Sequence, residues 1–213
     1  MNADIVFVLD ATATMGVFID RFRRDFLPEF TQRIVEKSDA VSDKTNVRYK
    51  VIIFRDYGTE GESAIKQSKF FRIPDETEEL NHTMLYIEAG GGGDSPENGL
   101  EAIYYALTSD FAEGEGSQTV FFFTDADAVA LGKRKDCAGY PEDMVDEEGL
   151  KSLWLGKTLS RLTQQGKRMI MLAPEGTAYS RIAKEMDKIM FIPTVKSGNL
   201  NDIDLASVLK MLF

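Results

Sequence analysis

Short apolar runs alternate with longer stretches of helical periodicity along the whole chain. The runs have the length of buried strands, and the longer stretches repeat apolar residues every three or four positions, as amphipathic helices do. Phe18, Phe22, Phe26 and Phe30 form such a repeat. Strands are predicted at residues 4–10, 47–54, 63–74, 118–125, 167–173 and 188–194, and helices at 15–37, 75–89, 95–109, 142–165, 178–186 and 201–213.

This alternation predicts an α/β fold with one doubly wound, mostly parallel sheet and helices on both of its faces. The segment 63–74 follows the second strand so closely that we expect it to pair antiparallel. Pro28 is expected to kink or split the first helix. A chain of 213 residues fits one domain, and we expect residues 1–213 to form it.

Hard oxygen donors stand where the buried strands end. Asp10 closes the first strand and is followed by Thr12 and Thr14, Asp94 follows the run Gly90–Gly93, and Asp125 closes the strand 118–125. In doubly wound sheets, ligands bind beyond the carboxyl ends of the strands. Mg²⁺ prefers six oxygen ligands and keeps some of its waters. The pattern therefore predicts a Mg²⁺ site built from three separate loops.

Each of these residues also has a local interpretation. Asp10 can be a turn residue, and Thr12 or Thr14 can cap the helix that follows. The segment GGGGDSPE can be a helix stop followed by a helix start. Asp94 or Ser95 would then be the cap, and Glu97, in the first helical turn, would close a capping box. Only the convergence of three loops at one end of the sheet favours the metal interpretation.

Three segments, DATATMG, GGGGDSPENGLEAI and FFFTDAD, occur in that order and resemble a von Willebrand factor type A domain with a metal-ion-dependent adhesion site. With RDYGT at 55–59, the chain is most similar to intracellular and bacterial members, including those attached to alpha-type kinases. The resemblance implies a Rossmann-like, six-stranded sheet in the order 3-2-1-4-5-6 with one antiparallel edge strand. It also implies bound Mg²⁺, Mn²⁺ or Ca²⁺ and a protein partner that supplies an acidic side chain to the ion. Carried over by position, the implied metal ligands are Asp10, Thr12, Thr14, Asp94, Glu97 and Asp125.

Two other functions remain open on the sequence. A domain of this fold can bind partners by shape, without a metal. A haloacid-dehalogenase-like phosphatase also places an aspartate at the end of its first strand, but DATAT lacks the second acid of that D-x-D loop, which protonates the leaving group. We therefore expect a binding module and no catalysis. The sequence leaves open whether Asp94 or Glu97 contacts the ion.

The net charge of −10 and pI near 4.7 argue against nucleic acid and anionic membranes as partners. With a single cysteine and no signal-like start to the sequence, the cytoplasm is the expected location. A basic cluster, Lys133, Arg134 and Lys135, is expected to share the rim of the site with Arg55 and Asp56. It can steer an acidic partner toward the ion, or it can be a solvated loop.

Overall fold

A seven-stranded, mostly parallel sheet forms the centre of the protein. The computed structural model describes residues 2–39, 46–92, 96–114, 116–157, 160–194, 200 and 206–208. The strands are β1 (Asn2–Asp10), β2 (Asn46–Phe54), β3 (Ile65–Gln67), β4 (Phe71–Ile73), β5 (Ser117–Phe123), β6 (Lys167–Pro174) and β7 (Ile189–Thr194). Neighbouring strands follow the order β3-β2-β1-β5-β6-β7, and β4 also pairs with β2.

The predicted antiparallel edge strand is present as two short strands. Both pair antiparallel with β2, β3 against its last residues and β4 against its first ones. Between them, the Ser68 hydroxyl accepts a hydrogen bond from the Val51 amide at 2.9 Å, so a side chain replaces part of the backbone ladder there. The predicted order of six strand positions is confirmed, and the division of the edge position gives seven strands.

Helices cover both faces of the sheet, as predicted. The helices are α1 (Gly16–Arg21), α2 (Leu27–Asp39), α3 (Tyr57–Glu60), α4 (Thr77–Leu85), α5 (Gly99–Leu107), α6 (Glu147–Trp154) and α7 (Ala178–Glu185), with 3-10 turns at Ala13–Met15 and Gly61–Ser63. One hydrophobic cluster lies under α1, α2 and α4, and a second lies under α5, α6 and α7.

Pro28 lies where the first helical segment changes its winding. A π-helical turn, Phe22–Phe26, joins α1 to α2 directly before this proline. Because proline has no N–H, it cannot bond to the carbonyl four residues earlier, and a wider turn accommodates the missing bond. The segment still presents its phenylalanines to the sheet, where the Phe7 ring lies 5.3 Å from Phe22 and 5.8 Å from Phe30.

Two helix predictions differ from the structure in their extent, and a third lies mostly outside the described residues. The helix predicted at 142–165 is limited to α6, which begins after the side chain of Asp146 accepts a hydrogen bond from the Gly149 amide at 2.8 Å. The helix predicted at 95–109 begins only at Gly99. Most of the helix predicted at 201–213 falls outside the described residues, of which 206–208 are helical. Over the described ranges, no helix has the length and apolar character needed to cross a lipid bilayer.

Candidate metal centre

The loop after β1 is organised around the fully buried carboxylate of Asp10. Its Oδ1 accepts hydrogen bonds from the Thr12 amide at 2.9 Å and from the Thr12 hydroxyl at 2.6 Å. Its Oδ2 accepts a hydrogen bond from the Thr124 hydroxyl at 2.6 Å. Asp10 therefore fixes the first loop and also ties it to the end of β5.

The hydroxyls of Thr12 and Thr14 lie on the same side of the chain, with their Oγ1 atoms 3.5 Å apart. Thr12 has extended backbone angles, whereas Thr14 lies in the 3-10 turn that leads into α1. The Thr14 hydroxyl donates a hydrogen bond to Oδ1 of Asp125 at 3.2 Å. Side-chain oxygens from the loops after β1 and β5 thus meet at the carboxyl edge of the sheet.

Glu97 enters from a third loop, and its backbone corrects a prediction. It lies before α5 in an isolated parallel bridge with Ala128 and not in a first helical turn. Its amide donates to the Asp127 carbonyl at 2.9 Å, and its carbonyl accepts from the Val129 amide at 2.8 Å. These bonds to the loop after β5 keep the Glu97 backbone extended and delay the helix start.

The glycine run lets this third loop approach the first. Gly92 has a φ of +86°, and a methyl group added there would lie 2.4 Å from Cγ2 of Thr12 and 3.0 Å from Oε1 of Glu97. Glu97 is 3% exposed, and its Oε2 is buried without a hydrogen-bond partner among the described residues. Thr12 and Glu97 therefore line the same side of Gly92, and one buried carboxylate oxygen remains unpaired there.

Burial dominates the electrostatics of these acids. Loss of hydration raises the pKa of Asp10 to about 6, against the opposing effect of its hydrogen bonds from Thr12 and Thr124. Burial also raises the pKa of Asp125. For Glu97, burial together with repulsion from Asp10, Asp56 and Asp125 raises the pKa to about 8. The fold thus disfavours the charged forms of these three carboxyl groups, and repulsion between them adds to the effect of burial.

These residues fit a hard divalent cation. Carboxylate and hydroxyl oxygens are the donors that Mg²⁺, Mn²⁺ and Ca²⁺ accept, and no nitrogen or sulfur donor is included among them. Within the described part of the chain, His, Cys, Asp and Glu side chains form no cluster of three that could hold an ion by themselves. The threonine hydroxyls would therefore be needed as ligands.

The structure brings together five of the six residues predicted as metal ligands: Asp10, Thr12, Thr14, Glu97 and Asp125. The sixth, Asp94, lies outside the described residues. The position of Glu97 follows from its bridge to the loop after β5, whereas the local alternative drawn from the sequence gave it a place in the first helical turn.

The predicted rim is arranged differently from the expectation. Asp56 is buried and forms a two-bond ion pair with Arg134, at 2.9 Å for both nitrogen–oxygen contacts. Arg55 donates hydrogen bonds to the backbone carbonyls of residues 11, 88 and 90. Lys133 and Lys135 are exposed. The cluster 133–135 is therefore not one uniform basic patch, because its central residue is already paired.

Sequence reasoning missed one residue and one pairing that shape this site. Thr124 donates a hydrogen bond to Asp10. The sequence signal for this contact was a hydroxyl residue directly before Asp125 at a strand end. The pairing of Arg134 with Asp56 joins residues 78 positions apart and left no local signal.

Solved structures with the same fold include a pilus adhesin, a byssus thread protein and a pili tip protein. The chain is similar to the pilus adhesin SpaC from Lactobacillus rhamnosus GG, with 14% identity and a TM-score of 0.53 over 99% of this chain and 30% of that one. It is similar to proximal thread matrix protein 1 of the mussel byssus, with 14% identity and a TM-score of 0.53 over 100% of this chain and 47% of that one. The vWF domain of the type V pili tip protein Mfa5 from Porphyromonas gingivalis matches with 9% identity and a TM-score of 0.55, covering 99% and 95% of the two chains.

The chain thus spans about a third of the adhesin and about half of the byssus protein. No curated protein matches it by sequence. The sequence profile of the von Willebrand factor A domain does match, over residues 4–191, a range that contains every described residue of the candidate metal centre. The chain belongs to the von Willebrand factor A domain family.

Proposed function

We propose that this chain is a non-catalytic protein-binding module that depends on a divalent cation. The cation would be Mg²⁺, with Mn²⁺ or Ca²⁺ as alternatives. The residues that would hold it are Asp10, Thr12, Thr14 and Asp125, with Asp94 or Glu97 completing the protein ligands. When bound, the ion would supply a positive charge. An oxygen of an acidic side chain from a protein partner would coordinate the ion.

One observation carries this proposal. The hydroxyl of Thr14 meets the carboxylate of Asp125 at 3.2 Å, although 111 residues separate them, and the Thr12 hydroxyl lies 3.5 Å from that of Thr14. A helix cap needs a side-chain oxygen next to the amides of its own helix, and neither threonine makes such a bond to the following helix. Convergence of oxygens from distant loops is what a cation site requires.

The family and the structural neighbours favour binding over catalysis. Three of the proteins with this fold are named as an adhesin, a pilus tip protein and a thread matrix protein, which are all assembly or attachment components. We extend to this chain only the shared property, which is interaction with other proteins. The acidic net charge disfavours nucleic acid and anionic membrane as partners, and the cytoplasmic location stays a prediction.

Calorimetric titration with Mg²⁺, Mn²⁺ and Ca²⁺ tests the metal half of the proposal. We expect one site per chain in the wild type and its loss in Thr14→Val, which keeps the shape of the side chain and removes the hydroxyl. Thr83→Val is the matched control, because the Thr83 hydroxyl bonds only to a carbonyl of its own helix. Absence of both heat and a thermal shift in the wild type would favour a metal-free interaction domain.

The partner half is tested by affinity capture in Mg²⁺, in EDTA, and with the double variant Thr12→Ala/Thr14→Ala. A specific partner should be retained only by the wild type in Mg²⁺. Retention in all three conditions would mean that binding does not use the ion. Steady hydrolysis of an aryl phosphate that disappears in Asp10→Asn would contradict the non-catalytic assignment and restore the phosphatase alternative.

A further inference from the structure

Arg134 is an anchored and partly accessible arginine in the loop that follows β5. Its Nε and Nη2 donate to the two carboxylate oxygens of Asp56, each at 2.9 Å. Asp56 is 3% exposed, so the anchor is buried, while the Arg134 side chain is 31% exposed. The guanidinium is therefore held in one orientation without being sealed from solvent.

Space for this arrangement comes from Gly58. A methyl group at that position would lie 2.8 Å from Cζ of Arg134 and 2.9 Å from Oδ2 of Asp56. The side chain of Asp56 also accepts a hydrogen bond from the Gly58 amide at 3.1 Å. The first turn of α3 thus carries a fixed carboxylate on which the guanidinium can lie.

The Asp56–Arg134 pair borders the segment that carries Glu97. The Asn98 amide donates to the Arg55 carbonyl at 3.2 Å, and Oδ1 of Asn98 accepts from the Tyr57 amide at 2.9 Å. On its other side, Glu97 is bridged to the start of the loop that contains Arg134.

The third guanidinium nitrogen, Nη1, makes no hydrogen bond within the described ranges, since the ion pair with Asp56 uses the other two. Arginine presents its donors in a rigid plane, so fixing two nitrogens also fixes the direction of the third. A group with two acceptor oxygens could give one to an ion and the other to this nitrogen. An acidic side chain is such a group, and a neutral amide offers one oxygen only.

We infer that Arg134 is a specificity-determining residue that binds the second carboxylate oxygen of the partner's acidic side chain while the ion binds the first. This inference rests on the proposed function and deepens it, since it defines the recognised group as a carboxylate held at two points. It also replaces long-range steering by the whole cluster 133–135 with a local contact of one residue.

The inference is tested with two capped peptides, acetyl-Gly-Glu-Gly-amide and acetyl-Gly-Gln-Gly-amide. They are titrated into isotopically labelled full chain at saturating Mg²⁺ and in EDTA, with NMR shifts as the readout. The wild type should prefer the Glu peptide, and only in Mg²⁺. In Arg134→Gln, binding of the Glu peptide should fall about tenfold or more, the effect expected for a lost charge-assisted hydrogen bond.

Mg²⁺ affinity separates this role from a structural one. Removing a positive charge beside three acids should leave Mg²⁺ binding unchanged or make it tighter. In Arg134→Gln, the affinity for the Glu peptide should therefore fall while the affinity for Mg²⁺ stays the same or rises. If Arg134→Gln does not fold, Arg134→Lys keeps an ion pair with Asp56 and lacks the fixed third nitrogen. Arg134→Lys should retain Mg²⁺ binding and should bind the Glu peptide more weakly than the wild type does.

Two further variants remove the same unit charge. Lys135→Gln lies on the same loop and Lys184→Gln lies on α7, and both side chains are exposed. Each should weaken peptide binding far less than Arg134→Gln. Equal losses of peptide affinity in Lys135→Gln and Arg134→Gln would show a general electrostatic attraction and would overturn the inference. Peptide binding that is unchanged by either Arg134 variant would also overturn it, and so would a wild type with no preference for the Glu peptide. Failure of the wild type to bind Mg²⁺ would instead overturn the proposed function.

Discussion

Replacing Asp10 by asparagine should make the metal-free protein more stable at neutral pH while removing its response to metal. Asparagine has nearly the shape of aspartate. Its carbonyl oxygen can accept the two hydrogen bonds from Thr12, and its amide can donate to the hydroxyl of Thr124. The change therefore removes a buried negative charge without leaving a large void, at the cost that the Thr124 hydroxyl, which donates to Oδ2 of Asp10, loses this acceptor.

The magnitude follows from the pKa of Asp10. Burial raises it from the ordinary 3.8 to about 6, so the folded chain binds the proton more tightly than the unfolded chain does. Stability linked to this group is thus fully present below about pH 4 and is lost as the pH rises toward 6. At about 1.4 kcal/mol for each pKa unit, the loss is about 3 kcal/mol, and asparagine should recover up to that amount near pH 8.

Urea unfolding in EDTA near pH 4 and near pH 8 measures this effect. The two proteins should differ little at the lower pH, and the variant should be the more stable one at the higher pH. Added Mg²⁺ should raise the stability of the wild type alone, by about 2.7 kcal/mol at one hundred times the dissociation constant. A variant that is less stable than the wild type at pH 8 in EDTA would refute the claim that the Asp10 carboxylate is destabilising without a cation.

Three further substitutions separate the metal centre from the rest of the fold. Gly92→Ala should weaken Mg²⁺ binding in calorimetry and cost about 1–2 kcal/mol in unfolding free energy, because the backbone is left-handed there and a methyl group would collide with Thr12; unchanged Mg²⁺ affinity would contradict this reasoning. Thr124→Val should cost about 1–3 kcal/mol near neutral pH in chemical unfolding, since the Asp10 carboxylate loses a 2.6 Å donor, and a neutral result would show that the donor is replaceable. Lys167→Met removes a fully buried amine that donates to a backbone carbonyl at 2.8 Å, at the opposite end of the sheet, so it should lower the thermal unfolding temperature and leave Mg²⁺ affinity unaltered. A loss of Mg²⁺ affinity in that variant would mean that the site depends on global stability.

Much of this fold could be predicted because its determinants are local. The apolar runs of β1, β2 and β5 are strand-length segments that are buried on both faces of the sheet, and their alternation with helices predicts parallel pairing. Element limits were less accurate where a side chain or a long-range bridge ends an element. The Asp146 cap shortens α6 in this way, and the bridge of Glu97 to Ala128 delays α5.

The candidate site likewise combines residues whose placement is local with contacts between distant parts of the chain. By itself, the sequence determined that Asp10, Thr12 and Thr14 share one loop, and the carboxyl-edge rule for parallel strands placed Asp125 beside them. Only the tertiary structure decided that Thr124 bonds to Asp10, that Glu97 is buried with an oxygen that has no hydrogen-bond partner among the described residues, and that Arg134 is anchored on Asp56. Local spacing fixes the direction of neighbouring side chains through the backbone, whereas contacts across many residues depend on how separate loops pack, and no sequence period records that packing.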